Sequence, residues 1–113
     1  MKQLEHDLQV VICQYLELKK IPYFAVPNGG QRNVRVAMKL KKEGVKAGVA
    51  DLFLMIPNLK YAGLFIEVKV RPNNQQQNQK IFESLATKQG YCYKLIYSFD
   101  ELIEYLDIYL QIR

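Results

Sequence analysis

The residues with the clearest chemical potential lie in two apolar runs, Asp51 to Pro57 (DLFLMIP) and Gly63 to Val70 (GLFIEVKV). Pairing these runs as an antiparallel hairpin about Asn58-Leu59-Lys60 sets Asp51 opposite Glu67, Phe53 opposite Phe65 and Met55 opposite Gly63. Side chains alternate along a strand, so Asp51, Glu67 and Lys69 project from one face. Directly opposed residues have Cβ atoms about 4.5–5.5 Å apart. Two carboxylates so placed repel each other, and burial adds a desolvation cost. A shared cation, a shared proton or a basic neighbour would offset it. Mg²⁺ suits such a pair, since it takes one or two carboxylates and fills its remaining positions with water. The Lys69 ammonium points at the same place, where it could stabilise charge on a reacting phosphate or orient a water. A simpler reading also fits: an Asp at a strand edge and a Glu-Lys pair, all exposed and satisfied by solvent.

Other residue types narrow the field. A single histidine, His6, excludes multi-histidine metal centres and leaves little room for a His-assisted nucleophile. Two cysteines, Cys13 and Cys92, are too few for a disulfide framework or a cysteine-rich zinc site, and their apolar surroundings predict buried free thiols. The formal net charge of +5 is concentrated. Arg32, Arg35, Lys39, Lys41, Lys42 and Lys46 lie in one segment against the single acid Glu43, and the rest of the chain balances. A basic segment in an otherwise balanced domain points to a polyanion such as nucleic acid; a solvated helix face gives the same pattern.

These groups must be positioned by a chain of 113 residues, half of them hydrophobic, which fits one domain spanning 1–113. No apolar run approaches a membrane span, and the polar start MKQLEHDLQ lacks the apolar core of a secretion signal. The expectation is a soluble cytoplasmic protein. Leu4, Leu8, Val11, Ile12, Tyr15 and Leu16 follow helical spacing until Pro22. Tyr23 to Val26 forms a short strand ended by Pro27-Asn28-Gly29-Gly30, and a short or irregular basic helix closes at Gly44. The two hairpin runs, apolar on both faces, should be central strands covered on each side. A helix from Gln75 capped at Gly90, a strand Tyr91 to Tyr97, and a last helix opened by a Ser98–Glu101 capping box complete the order. Tyr91, Tyr93 and Tyr97 read as packing residues. The predicted fold is α/β, a mixed sheet flanked by helices in the order α-β-α-β-β-α-β-α.

An Asp starting one strand and Glu-x-Lys ending the next resembles the core of PD-(D/E)XK, restriction-endonuclease-like nucleases. More narrowly, the chain resembles a stand-alone VRR-NUC domain of the phage type. The resemblance runs through Glu5-His6-Asp7-Leu8-Gln9, Pro27-Asn28-Gly29-Gly30, the segment Lys41 to Leu52, Phe65-Ile66-Glu67-Val68-Lys69 and Gln79. Ala50 stands where the family often has proline. The resemblance implies an endonuclease dependent on Mg²⁺ or Mn²⁺. Asp51, Glu67 and the Val68 main-chain carbonyl would be metal ligands and Lys69 the catalytic lysine. Glu5 would approach the same metal site from the first helix, through water, or support a second ion, and Gln79 would complete the site.

Each role has a plainer counterpart. Glu5 in a first helical turn complements the helix dipole, with Gln9 one turn on able to hold its carboxylate. Gln79 fits an ordinary helix surface, and Asn28-Gly29-Gly30 fits a turn as well as a close approach to phosphate. Arg32 and Lys46 bracket the loop into Asp51 and are the preferred DNA-backbone contacts, with Asn28, Arg35, Lys39 and Lys42 beside them. One short domain must supply both chemistry and binding. The resemblance to stand-alone members of the family implies a homodimer acting on branched DNA such as a four-way (Holliday) junction, in a host cytoplasm if phage-encoded, and a two-fold dimer would present two sites to such a two-fold substrate. The competing expectations are a non-catalytic DNA-binding module and a subunit of a larger recombination or repair complex.

Overall fold

The computed structural model of the chain describes residues 2–27 and 33–112. Four helices and four strands follow one another as α1 (Lys2–Leu18), β1 (Tyr23–Ala25), α2 (Val34–Lys42), β2 (Leu52–Leu54), β3 (Leu64–Val68), α3 (Gln77–Lys88), β4 (Cys92–Ile96) and α4 (Phe99–Gln111). This is the expected order, with shorter strands than the apolar runs suggested. The strands form one sheet in the order β1-β2-β3-β4. The β1–β2 and β2–β3 pairs are antiparallel, whereas β3 and β4 run parallel, joined through α3.

The hairpin register is the predicted one, with Phe53 opposite Phe65 and Leu54 opposite Leu64. Asn58 holds the turn. Its Oδ1 accepts the N–H groups of Lys60 at 2.9 Å and Tyr61 at 2.8 Å, and its Nδ2 donates to the Tyr109 carbonyl at 3.0 Å. The Asx turn thus sets the register locally and docks it on α4.

Alternation sorts the strand residues into two faces. Leu52, Leu54, Leu64, Ile66 and Val68 form the buried face, packed in one core with Ile12 and Leu16 of α1 and Leu102, Leu106 and Tyr109 of α4. The other face carries Phe53 and Phe65, and Phe82 of α3 meets Phe65 edge-on at 4.9 Å. Coverage of this second face is incomplete, contrary to the sequence expectation. Phe53 and Phe65 are half-buried, while Phe24 and Met55 are each 47% exposed. The reason is the placement of the helices: α3 packs against β4, and α2 buries none of its residues.

The predicted helix ends hold. Gly44 and Gly90 have φ of 99° and 93°, the left-handed conformation that closes α2 and α3. Ser98 Oγ accepts the Glu101 N–H at 3.2 Å, but the Glu101 carboxylate turns to the Tyr97 N–H at 3.1 Å instead of completing the reciprocal box. Cys92 is buried, as expected. Cys13 is only half-buried, because it lies on the rim of α1 beside Tyr23 rather than in the core stripe of Ile12 and Leu16.

Candidate active site

Glu67 and Lys69 are the buried charged side chains among the described residues, 3% and 6% exposed. Charged groups rarely enter an interior without a partner, so their location marks the site. Glu67 lies in β3 and Lys69 just beyond it, while Asp51 immediately precedes β2. Extending the observed register by one pair sets Asp51 opposite Glu67. The Asp51 main-chain carbonyl accepts the Val26 N–H at 2.8 Å, which continues the β1–β2 pairing and fixes this strand end.

The Asp51 carboxylate crosses to β3, where its Oδ2 accepts the Val68 N–H at 2.7 Å. On the opposite edge, Lys69 N–H donates to the Ile96 carbonyl at 2.9 Å. Backbone groups alternate in direction along a strand, so the Val68 carbonyl points to the same side as its N–H, toward Asp51. The carboxyl groups of Asp51 and Glu67 act on each other directly, each changing the other's hold on its proton. Burial, then the Asp51 charge, pushes the Glu67 carboxyl up to about 9. Burial likewise raises Asp51, against the opposing pull of the Val68 N–H. Lys69 lowers both acids and Glu5 raises both, so all four charges act within one electrostatic neighbourhood.

Gln79 joins the acidic pair from the first turn of α3. Its Oε1 accepts the Gln76 N–H at 2.8 Å, and its Nε2 donates to Glu67 Oε2 at 3.0 Å. The helix terminus thereby orients the amide so that its donor meets the carboxylate. Glu67 Oε1 is buried and meets no hydrogen-bond partner. An orphaned carboxylate oxygen, a second carboxylate beside it and a main-chain carbonyl on the same side make an oxygen-only donor set. Such a set fits a hard divalent cation. Glu5 is half-buried and held by Asn73 Nδ2, which donates to its Oε2 at 2.9 Å, rather than by Gln9. Among the described residues, no three His, Cys, Asp or Glu side chains converge closely enough to hold a metal ion, so Glu5 stands back from the pair.

A cleft of about 470 Å³ opens onto Asp51, Glu67 and Gln79 and is lined on its far side by Leu40, Lys41 and Lys46. Lys46 thus lines the same cleft as Asp51. The segment beyond divides around α2: Lys41 faces the cleft, whereas Arg35, Lys39 and Lys42 line a separate groove with Val34 and Met38. Asn28 and Arg32 lie outside the described residues. Gly48 brings the loop before Asp51 against α3; its φ is 84°, and a Cβ there would collide with the Asn78 carbonyl. Lys41 and Asn73 were missed from the sequence as site residues. Lys41 lies one helical turn beyond Ala37, another cleft residue, a helical signal that could have separated it from its neighbours. Asn73 offered none, because its partner is 68 positions away.

No family model matches the chain, and no curated protein matches it. Among solved structures it is similar to a VRR-NUC domain protein, with 26% sequence identity over 96% of this chain and 89% of that one and a TM-score of 0.81. The shared architecture extends over nearly the whole of both molecules, and it includes the hairpin and crossover helix on which the acidic pair is built. The chain thus has the VRR-NUC fold and is a nuclease-fold domain of the restriction-endonuclease-like α/β class.

Proposed function

We propose that the protein is a DNA endonuclease dependent on a divalent cation, Mg²⁺ or Mn²⁺. The observation that carries this reading is the buried Glu67 carboxylate, with one oxygen orphaned, beside Asp51 and buried Lys69, on the wall of a cleft that Lys41 and Lys46 also line. Asp51, Glu67 and the Val68 carbonyl would hold the cation. When bound, it supplies charge neutralisation at the scissile phosphate and a lower pKa for the attacking water. The chain's own groups do the rest. Lys41 and Lys46 take the phosphate backbone across the cleft, and Arg35, Lys39 and Lys42 offer further positive charge from the separate groove on α2. Lys69 adds a fixed positive charge where negative charge develops in the transition state. Gln79 holds Glu67 in one rotamer. Glu5 adds a third negative charge near the pair.

Purified Asp51→Ala, Glu67→Gln and Lys69→Ala proteins are expected to lose cleavage while keeping a cooperative melt; cleavage at the wild-type rate by any of them removes its assigned role. DNA binding that persists with no cleavage under any divalent ion would instead indicate a non-catalytic module.

The preferred substrate under this reading is branched DNA, cut by a homodimer. The incompletely covered sheet face with exposed Phe24 and Met55 supplies apolar surface for self-association. Comparing four-way junctions with linear duplex of the same sequence, alongside the mass in solution, tests both points. Equal cutting of the two substrates by a monomer would remove the structural selectivity. No helix of the described residues is long and apolar enough to cross a membrane.

A further inference from the structure

The loop between β3 and α3 is tied to several elements at once. Asn73 N–H closes a turn on the Val70 carbonyl at 2.9 Å, and the Asn73 carbonyl accepts the Tyr97 hydroxyl at 3.2 Å. The Tyr97 ring in turn carries the Arg71 guanidinium 4.2 Å from its centroid. Two residues on, Gln75 Nε2 donates to Glu83 Oε1 at 2.8 Å and to the Tyr93 hydroxyl at 3.2 Å. This braced loop presents the Asn73 amide to Glu5 Oε2 at 2.9 Å, linking the start of α1 to the loop after β3.

The chemistry of that contact matters. A lysine or arginine at this position would hold the carboxylate but also cancel its charge. A neutral amide orients the carboxylate as an acceptor and leaves its full negative charge in place. That charge is felt by both Asp51 and Glu67. Glu5 nevertheless remains outside the acidic pair. The amide therefore keeps a third carboxylate near the pair without neutralising it.

We propose that Asn73 is a positioning residue: through its bond to Glu5 it sets a third carboxylate standing back from the acidic pair and thereby the affinity of the protein for a divalent cation. This rests on the cation-dependent reading above. Partners that orient charged groups around metal sites typically contribute 10- to 100-fold in affinity.

The test is Mn²⁺ binding to the full chain, followed by electron paramagnetic resonance with the metal alone, in wild type, Asn73→Ala, Glu5→Gln and the double variant. Asn73→Ala and Glu5→Gln are each expected to weaken Mn²⁺ binding by about 10-fold. The double variant should be little weaker than either single one, because both changes disrupt one interaction. Tyr97→Phe removes the hydroxyl bracing Asn73 but keeps the ring, and should weaken Mn²⁺ binding by a smaller factor; it provides the readout should Asn73→Ala fail to fold. Melting in EDTA separates these effects from loss of structure. Wild-type Mn²⁺ affinity in folded Asn73→Ala, with Glu5→Gln weakened, would overturn the proposal and leave the cation-dependent reading standing. Independent, multiplicative losses in the double variant would also overturn it. If wild type itself binds no Mn²⁺, the underlying reading fails and the positioning role falls with it.

Discussion

Replacing Glu67 by Gln changes one oxygen for an amide of nearly the same shape, and its consequences for stability follow from the geometry of the acidic pair. Asp51 and Glu67 stand opposite one another when the β2–β3 register is extended by one pair, and Glu67 is 3% exposed. Two like charges about 4 Å apart repel by about 4 kcal/mol at an effective dielectric constant of about 20. Burial of Glu67, the larger cause, adds to this cost and Lys69 opposes part of it, so a net penalty of about 2 kcal/mol when both acids are ionised is a lower bound. In the folded protein Glu67 holds its proton up to about 9, above its ordinary value of 4.5. The folded state therefore binds the extra proton across that interval. Stability is fully retained below the ordinary glutamate range and declines as the pH rises toward about 9. Glutamine does not titrate, so Glu67→Gln escapes that decline; its new amide N–H can also donate to Asp51. At about pH 5 the two proteins should melt together, and at about pH 8.5 in EDTA the variant should melt about 8 °C higher, taking about 4 °C per kcal/mol for a domain of this size. Mg²⁺ should raise the wild-type melting temperature at the higher pH and leave the variant nearly unmoved. The assay is thermal unfolding by circular dichroism at both pH values, with and without the cation. A variant less stable than wild type at the higher pH, or a melting difference independent of pH, would refute the reasoning.

Three further outcomes follow from individual contacts. Lys41→Ala and Lys46→Ala, on the cleft wall, should each weaken DNA binding across sequences and reduce the log–log salt slope by about 1, measured by fluorescence anisotropy in EDTA; unchanged slopes would remove these lysines from the phosphate path. Gly48→Ala forces a side chain into the left-handed region and against the Asn78 carbonyl, so denaturant unfolding should register a loss of about 2 kcal/mol or more, and a neutral effect would contradict the close approach. Tyr109→Phe deletes the hydroxyl that donates to the Ile56 carbonyl at 2.6 Å in a side chain 1% exposed, with an expected cost of about 1–2 kcal/mol by the same measurement. No loss of stability on that substitution would mean the Ile56 carbonyl finds another donor.

Much of the frame was legible because it depends on short-range rules. The pairing of Phe53 with Phe65 could be read from two apolar runs about a central turn, since strand alternation has a period of two residues and a slip by one would send every core side chain to the opposite face. The helix ends at Gly44, Gly90 and Ser98 follow from backbone conformation and local hydrogen bonding. The acidic pair was legible for the same reason, as a consequence of register. Coverage of the second sheet face was not. Apolar strands announce that something should cover them, but the resting place of α2 depends on contacts that no local pattern encodes.

The sequence by itself therefore determined the element order, the hairpin register and the opposition of Asp51 to Glu67, because each rests on backbone periodicity and nearby turns. Only the tertiary structure decided that Lys41 rather than Lys42 faces the cleft, that the Gln79 amide meets Glu67, and that Asn73 holds Glu5. Those relations depend on how α1, α3 and the loop after β3 come together beside the acidic pair, and on which side of α2 is turned to the cleft. Side chains distant along the chain become neighbours there only once the core has closed.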